Sequence, residues 1–180
     1  AISSLGKVYE DIYKEQRAIE DKTELYEITR EASKDISKIS SDVSKNTDLE
    51  FAHKTFGDLV KPEKYDYLLK DKNKRVKRLF NEWLLKTVDQ EYNSITKAVI
   101  KRSNDQARAN LQDEAGRLSI LASSSDIVKA TEAENDLEAL GNSPETVRIL
   151  GDDELKKFKQ DNKKRRKSQI TPFIVGFKVG

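Results

Sequence analysis

The sequence predicts an all-α protein: an elongated helical bundle or coiled coil with one very long central helix and an extended C-terminal tail. Only seven glycines and three prolines interrupt the 180 residues. Charged residues make up 37 % of the chain and hydrophobic residues 36 %, which suits narrow apolar stripes on long helices better than a broad core. Apolar residues recur at spacings of three and four, the period of an amphipathic helix.

Residues 1–45 are predicted to form an N-terminal amphipathic helix, from Ile2 to about Val43. Its apolar stripe changes phase near Tyr26, as at a coiled-coil stutter. Serines in the later half compete for backbone hydrogen bonds, so we expect that half to fray unless it docks on another element. The stripe consists of Ile2, Leu5, Tyr9, Ile12 and Ile19, and then Leu25, Ile28, Ala32, Ile36, Ile39 and Val43.

Residues 46–155 are predicted to form a helical body. Thr47 and Glu50 have the spacing of a capping box, so a short helix should begin at about Asp48, and Pro62 should open another after it. The strongest helical pattern covers about 74–122 without a proline. At about 1.5 Å per residue such a helix is roughly 70 Å long, and we expect it to need neighbouring helices.

Shorter helices are predicted after the long one. Asp126 is a suitable N-cap for the first of them, and Gly141 is expected at its C-terminal stop. Ser143 followed by Pro144 repeats the start signal of a cap residue and a first-turn proline. Gly151 should close that short helix, and Asp152 should help to cap a last one.

Residues 156–180 are predicted to be a basic linker followed by an extended, apolar docking tail. Between Lys156 and Lys167 there are eight basic residues and one acidic residue. Five consecutive cations suit phosphates of nucleic acid or anionic lipid head groups, although a solvated linker or an acidic protein neighbour explains them as well. These cations are Lys163, Lys164, Arg165, Arg166 and Lys167.

The stretch after Thr171 is apolar and rich in β-branched residues, with Pro172 near its start. Such a stretch is typical of an extended segment or strand. A short apolar segment of this kind can add a strand to a neighbour or lie in its groove. The residues expected to dock on a partner are Phe173, Ile174, Val175 and Phe177.

The composition argues against an enzyme. With no cysteine and one histidine, disulfides and zinc sites of Cys and His are excluded. The chain has no P-loop, dinucleotide fingerprint or serine elbow. His53, between Phe51 and Phe56, is expected to have a surface or packing role rather than to act as a base. We therefore expect no catalytic residue, cofactor or metal, and no membrane span, because no apolar run approaches 18 residues.

The two ends of the chain resemble the internal virion proteins, also called core or ejection proteins, of short-tailed bacteriophages. The motifs that carry this resemblance are Gly6-Lys7-Val8-Tyr9, Tyr13-Lys14-Glu15-Gln16-Arg17-Ala18 and the segment 166–178. The resemblance implies a structural, non-enzymatic virion protein that lies inside the capsid or at the portal and tail and aids genome delivery. It transfers no catalytic residue.

The expected partners follow from that resemblance. They are other virion subunits, including further copies of the chain, with non-specific DNA contact and with membrane contact only after ejection. The residues alone also leave open a basic-tailed helical protein that binds nucleic acid or assists DNA packaging. Outside a virion the expected location is cytoplasmic.

Overall fold

The computed structural model describes the backbone of residues 2–177 and the side chains of residues 4–164. Over this range the chain is helical and contains no strand, which confirms the predicted all-α fold. The long central helix is also confirmed, with the predicted bounds. The elements are α1 (Ile2–Val43), α2 (Leu49–Leu59), a 3-10 turn (Pro62–Tyr65), α3 (Asp66–Leu69), α4 (Lys74–Ala122), α5 (Ile127–Asn142) and α6 (Pro144–Phe177).

Aspartates cap two of these helices. Asp48 has an extended backbone and accepts a hydrogen bond from the N–H of Phe51 at 3.0 Å, so it is the N-cap of α2. The predicted capping box was therefore wrong by one residue, because the side chain of Asp48 takes the place expected of Thr47. Asp126 accepts from the N–H groups of Val128 and Lys129, as predicted for α5.

The chain divides into two compact units, Ala1–Arg102 and Ser103–Gly180. These units differ from the predicted segments 1–45, 46–155 and 156–180. The reason is that α4 contributes its first half to one hydrophobic core and its second half to the other.

The core of unit 1 is formed by the later half of α1, by α2, by the 3-10 turn, by α3 and by the first half of α4. The serine-rich half of α1 is therefore docked. Trp83 is partly buried against this core and packs beside Phe80, with ring centroids 5.5 Å apart. The buried members are Ile28, Ala32, Ile36, Val43, Ala52, Phe56, Val60, Tyr65, Leu68, Val76, Phe80, Leu84, Ile95 and Val99.

The core of unit 2 joins the second half of α4 to α5 and α6. Gly151 adopts φ 69° and ψ 177° and breaks α6 where a helix end was predicted. Gly141 was predicted as a stop, but α5 continues to Asn142. Gly141 instead accommodates the stem of Lys159, whose Cγ lies 3.5 Å from the place of an added Cβ. The buried members are Ala115, Leu118, Leu137, Leu150 and Phe158.

The C-terminal tail differs from the prediction. Helix α6 continues through the basic cluster and the apolar stretch to Phe177, so residues 170–177 are helical rather than extended. A strand needs a partner strand, and the described part of the chain offers none, whereas a helix pairs its own backbone groups. Pro172 removes one of those bonds, and a proline ring also crowds the carbonyl four residues earlier, at a cost of about 3 kcal/mol in a helix interior. Residues 178–180 lie outside the described residues.

Candidate interaction surfaces

The first half of α1 carries a row of exposed apolar side chains. Every described residue from 4 to 20 is exposed except the half-buried Ala18. Tyr9 is 73 % exposed and Ile19 is 60 % exposed, although both belong to the apolar pattern of the helix. We call this row the α1 stripe, and its members are Leu5, Val8, Tyr9, Ile12, Tyr13, Ile19 and Tyr26.

The α1 stripe lies on the side of the helix that faces away from unit 1's core. Asp21 is the first buried residue of α1 among those described, and its Oδ1 accepts a hydrogen bond from the Asn73 side chain at 2.6 Å. At 100° per residue, Tyr26 of the stripe and buried Ile28 are about 200° apart. The predicted phase shift near Tyr26 therefore marks a change of face, from an exposed row to a docked one.

Local interactions on the same segment favour the helical state of its backbone. Glu10 and Lys14 form an ion pair at 2.8 Å with the acid N-terminal to the base, the favourable order on a helix. Arg17 donates to the hydroxyl of Tyr13 at 3.2 Å and lies 5.7 Å from the centre of that ring. Exposed pairs of this kind contribute only tenths of a kcal/mol each.

A second apolar surface surrounds the connection between α4 and α5. Its four aliphatic residues are exposed. The turn between the two helices is stabilised by a hydrogen bond from the N–H of Asp126 to Oγ of Ser124 at 3.2 Å. This aliphatic corner is smaller than the α1 stripe. It consists of Ile120, Leu121, Ile127 and Val128.

The predicted basic cluster lies on α6. Because successive helical residues are 100° apart, five consecutive cations wind around a helix and do not form one face. Lys163 shares a register with Lys156, and Lys164 shares one with Lys157, and all four are exposed. The side chains of Arg165, Arg166 and Lys167 lie outside the described residues, as do those of Phe173, Ile174, Val175 and Phe177.

A cleft of about 270 Å³ lies between α5 and α6. Lys159 Nζ donates to Asn142 Oδ1 at 2.8 Å at its edge. Asn162 lines the cleft, is 7 % exposed, and has no hydrogen-bond partner among the described residues. Its burial was not predicted from the sequence; the available signal was its position four residues after the apolar Phe158, on the same helix face. The cleft is slightly smaller than most ligand pockets, and Leu137, Glu138, Gly141 and Lys163 complete its lining.

The lone histidine packs between two helices, in agreement with the prediction. Nε2 of His53 in α2 lies 2.8 Å from Oγ1 of Thr96 in α4, and its ring meets that of Tyr92 edge to face at 5.2 Å. A histidine base is usually oriented by a carboxylate or a carbonyl group. The hydrogen-bond partner here is a threonine hydroxyl.

A buried phenol and a carboxylate form the most perturbed titratable pair of the described residues. Burial, followed by the hydrogen bond to Asp35, raises the pKa of Tyr65 far above its usual value of 10.0. Burial also acts to raise the pKa of Asp35, but hydrogen bonds from Lys64 and Tyr65 outweigh it and lower that pKa below 3.8. This pair joins α1 to the 3-10 turn within unit 1, so its role is structural.

Two general searches cover the part of the chain that the structure describes. No three Asp, Glu or His residues there are grouped closely enough to hold a metal ion. No described helix is long and apolar enough to cross a membrane. Comparison of the chain with protein-family models, curated proteins and solved structures finds no match.

Proposed function

We propose that this chain is a structural, non-enzymatic subunit of a large assembly, a bacteriophage virion component inside the capsid or at the portal and tail that aids genome delivery. The observation that carries the proposal is the α1 stripe, an exposed row of apolar side chains on a helix whose residues 4–20 bury no apolar face within the described part of the chain. Contiguous apolar patches of several hundred Å² on soluble proteins mark interaction sites.

The physical argument concerns the stability of the first half of α1. Most of the stability of a helix in a protein comes from packing its apolar face against other elements, and intrinsic helix propensity contributes less. Residues 4–20 bury no such face within the part of the chain that the structure describes. A neighbouring subunit that covers the α1 stripe would supply the missing packing.

The assignment to a virion rests on the resemblance at the chain ends. Val8, Tyr9 and Tyr13 belong both to the motifs that carry this resemblance and to the α1 stripe. The proposed partners are accordingly other virion subunits and further copies of this chain.

The test is incorporation into particles. Phage particles whose genome encodes the chain are purified on a density gradient, and the chain is quantified by mass spectrometry. We expect the wild-type chain to band with the particles, and Ile12→Asp to be incorporated at least tenfold less. The matched control is Leu85→Asp, at a residue that is 70 % exposed outside the stripe. Absence of the wild-type chain, or equal incorporation of Ile12→Asp, would refute the proposal.

A second candidate function is non-specific nucleic-acid binding or assistance in DNA packaging. The observation that favours it is the set of exposed lysines on α6: Lys156, Lys157, Lys163 and Lys164. Affinity of such contacts for duplex DNA falls steeply with salt, since each neutralised phosphate releases a counterion.

Mobility-shift titrations with duplex DNA test this candidate at 50 and 200 mM salt. Changing the four lysines to glutamine should reduce affinity at least tenfold and flatten the salt dependence. Changing Lys7 and Lys14 of α1 to glutamine is the control. Binding that is absent, or that the α6 variant leaves unaltered, would eliminate this candidate without affecting the first.

A further inference from the structure

The α1 stripe follows the seven-residue pattern of a coiled coil. Along the middle of the stripe, residues follow one another at alternating distances of four and three, as the a and d positions of a heptad do. We call this line of a and d positions the seam. Val8 and Tyr13 of the stripe lie beside this seam at positions g and e. The seam positions are Leu5, Tyr9, Ile12, Gln16, Ile19, Thr23 and Tyr26.

We propose that the α1 stripe is covered by the α1 stripe of a second copy of this chain, in a parallel, in-register two-stranded coiled coil. The proposal deepens the proposed function, since it names the partner of the surface on which that function rests. In this arrangement every seam residue meets its own counterpart, so the apolar layers are Leu5, Tyr9, Ile12, Ile19 and Tyr26.

Gln16 selects the parallel orientation. In register, the amide of Gln16 meets a second Gln16 and can hydrogen-bond across the seam, whereas the hydroxyl of Thr23 is already satisfied, since it donates to the carbonyl oxygen of Ile19 at 3.0 Å. An antiparallel pairing places position a against position d. Gln16 would then face Leu5, Ile12 or Ile19, and a buried amide without a partner costs about 1–3 kcal/mol.

Charged residues beside the seam form one attractive and one repulsive pair between the two chains. In a parallel pair, position g of one helix faces the e position five residues later in the other. Lys22 then faces Glu27 of the second copy in two symmetric ion pairs, whereas Glu15 faces Glu20 and repels it. All four side chains are exposed and have no ion pair within the described part of the chain. The attractive pairs lie nearer to the docked half of α1.

The available surface is large enough for a stable dimer. At on the order of 100 Å² of exposed surface per residue, the seven stripe residues present roughly 700 Å² per chain, close to the ~800 Å² per partner of a standard interface. The docked face of α1, which begins at Asp21, points away from this seam. The contacts between α1 and the rest of unit 1 therefore leave the seam accessible.

The first measurement is sedimentation equilibrium of the full chain from 1 to 100 μM. We expect a reversible dimer. Ile12→Asp and Ile19→Asp should each weaken it at least a hundredfold, and Leu85→Asp should not. A wild-type chain that stays monomeric over this range would overturn the proposal, as would variants that dimerise equally well.

The second measurement fixes the orientation and uses the absence of native cysteine. Thr23→Cys should give a disulfide-linked dimer on mild oxidation, because identical a positions are adjacent only in the parallel register. In an antiparallel pair the two introduced cysteines would be more than about 15 Å apart along the helices. Lys14→Cys, on the outer side of the helix, is the control. A dimer that Thr23→Cys fails to cross-link would refute the parallel arrangement.

A charge substitution provides a test that loss of folding cannot imitate. Glu20→Lys replaces the two Glu15–Glu20 repulsions by attractions and should tighten the dimer about five- to tenfold in low salt. Glu15→Lys should have the same effect, and the Glu15→Lys, Glu20→Lys double variant should lose it. Unchanged or weaker dimerisation in the single variants would contradict the pairing.

The two proposals fail separately. Incorporation of a chain that is monomeric in solution would overturn the coiled coil and leave the assembly function standing. A chain that forms the dimer in solution but is absent from particles would overturn the assembly function and leave the coiled coil standing.

Discussion

The phenol of Tyr65 donates a hydrogen bond to Oδ2 of Asp35 across 2.8 Å, which joins the 3-10 turn to the later half of α1. Lys64 Nζ lies 2.6 Å from the same oxygen. The Tyr65 ring is fully buried and meets Phe80 of α4 edge to face at 6.5 Å. Three elements of unit 1 therefore converge on this tyrosine, and they hold the half of α1 that follows the exposed stripe.

Tyr65→Phe should lower the free energy of unfolding by about 1 kcal/mol, because it removes this hydrogen bond and keeps the buried ring. Urea unfolding followed by circular dichroism measures the change. Tyr67→Phe is the matched control, since its hydroxyl donates to Glu31 at 3.1 Å on the exposed surface. A loss as large in Tyr67→Phe as in Tyr65→Phe would show that the buried bond has no special weight.

The stability of unit 1 should depend on the ionisation of Asp35 in acid. Its pKa in the folded protein is below the ordinary 3.8 because hydrogen bonds from Lys64 and Tyr65 outweigh the effect of burial. The unfolded chain then binds the proton first as pH falls. The stabilisation is therefore fully present above about pH 5 and is lost as pH falls through the folded-state pKa.

Asp35→Asn tests this dependence. The free energy of unfolding of the variant, measured in urea from pH 6 to pH 2.5, should decrease less steeply below pH 4 than that of the wild type. Parallel curves for the two proteins would contradict the prediction.

Gly57→Ala should destabilise the protein although alanine is the better helix former by about 1 kcal/mol. An added Cβ would lie 2.6 Å from the hydroxyl oxygen of Tyr92. That ring is held edge to face by His53 and Phe56, so it cannot withdraw easily. In the background of Tyr92→Phe the obstacle is gone, and Gly57→Ala should become stabilising. Thermal unfolding of the four proteins of this cycle shows whether the sign reverses.

Gly151→Ala should cost on the order of 1–3 kcal/mol, since the φ of 69° and ψ of 177° at this break are accessible almost only to glycine. Gly116→Ala provides the opposite control within the same unit. Gly116 lies in α4 with open space around an added Cβ, so alanine there should stabilise by about 0.5–1 kcal/mol. Equal changes at the two positions in chemical denaturation would exclude the role given to the backbone at Gly151.

Asn162→Leu should raise the free energy of unfolding by about 1 kcal/mol. The asparagine amide is buried beside the α5–α6 cleft with no hydrogen-bond partner among the described residues, and leucine of similar size removes that cost. Asn142→Leu is the contrasting variant, because it removes the acceptor of Lys159. A destabilised Asn162→Leu protein would indicate that the amide is paired in solution.

Most of the helices could be predicted from local features of the sequence, namely apolar periodicity, capping residues and glycine. An uninterrupted apolar period from 74 to 122 predicted α4 with its observed bounds, and Asp126 and Gly151 marked a helix start and a break as expected. The prediction was wrong at 170–177. β-branched residues favour strands, but a strand needs a partner strand for its backbone hydrogen bonds, and a helix does not. The prediction was also wrong at Gly141, where small size serves packing against Lys159 and not the end of a helix.

The tertiary structure alone decided which apolar faces are covered. Periodicity shows that α1 has an apolar row on either side of Tyr26, but it does not show whether the same chain buries each row. Ile28 is buried in the core of unit 1, whereas Ile19 is exposed, and Asp21 between them is the first buried residue of α1 among those described. Long-range packing therefore assigns the later row to the core and leaves the earlier one as a surface for a partner.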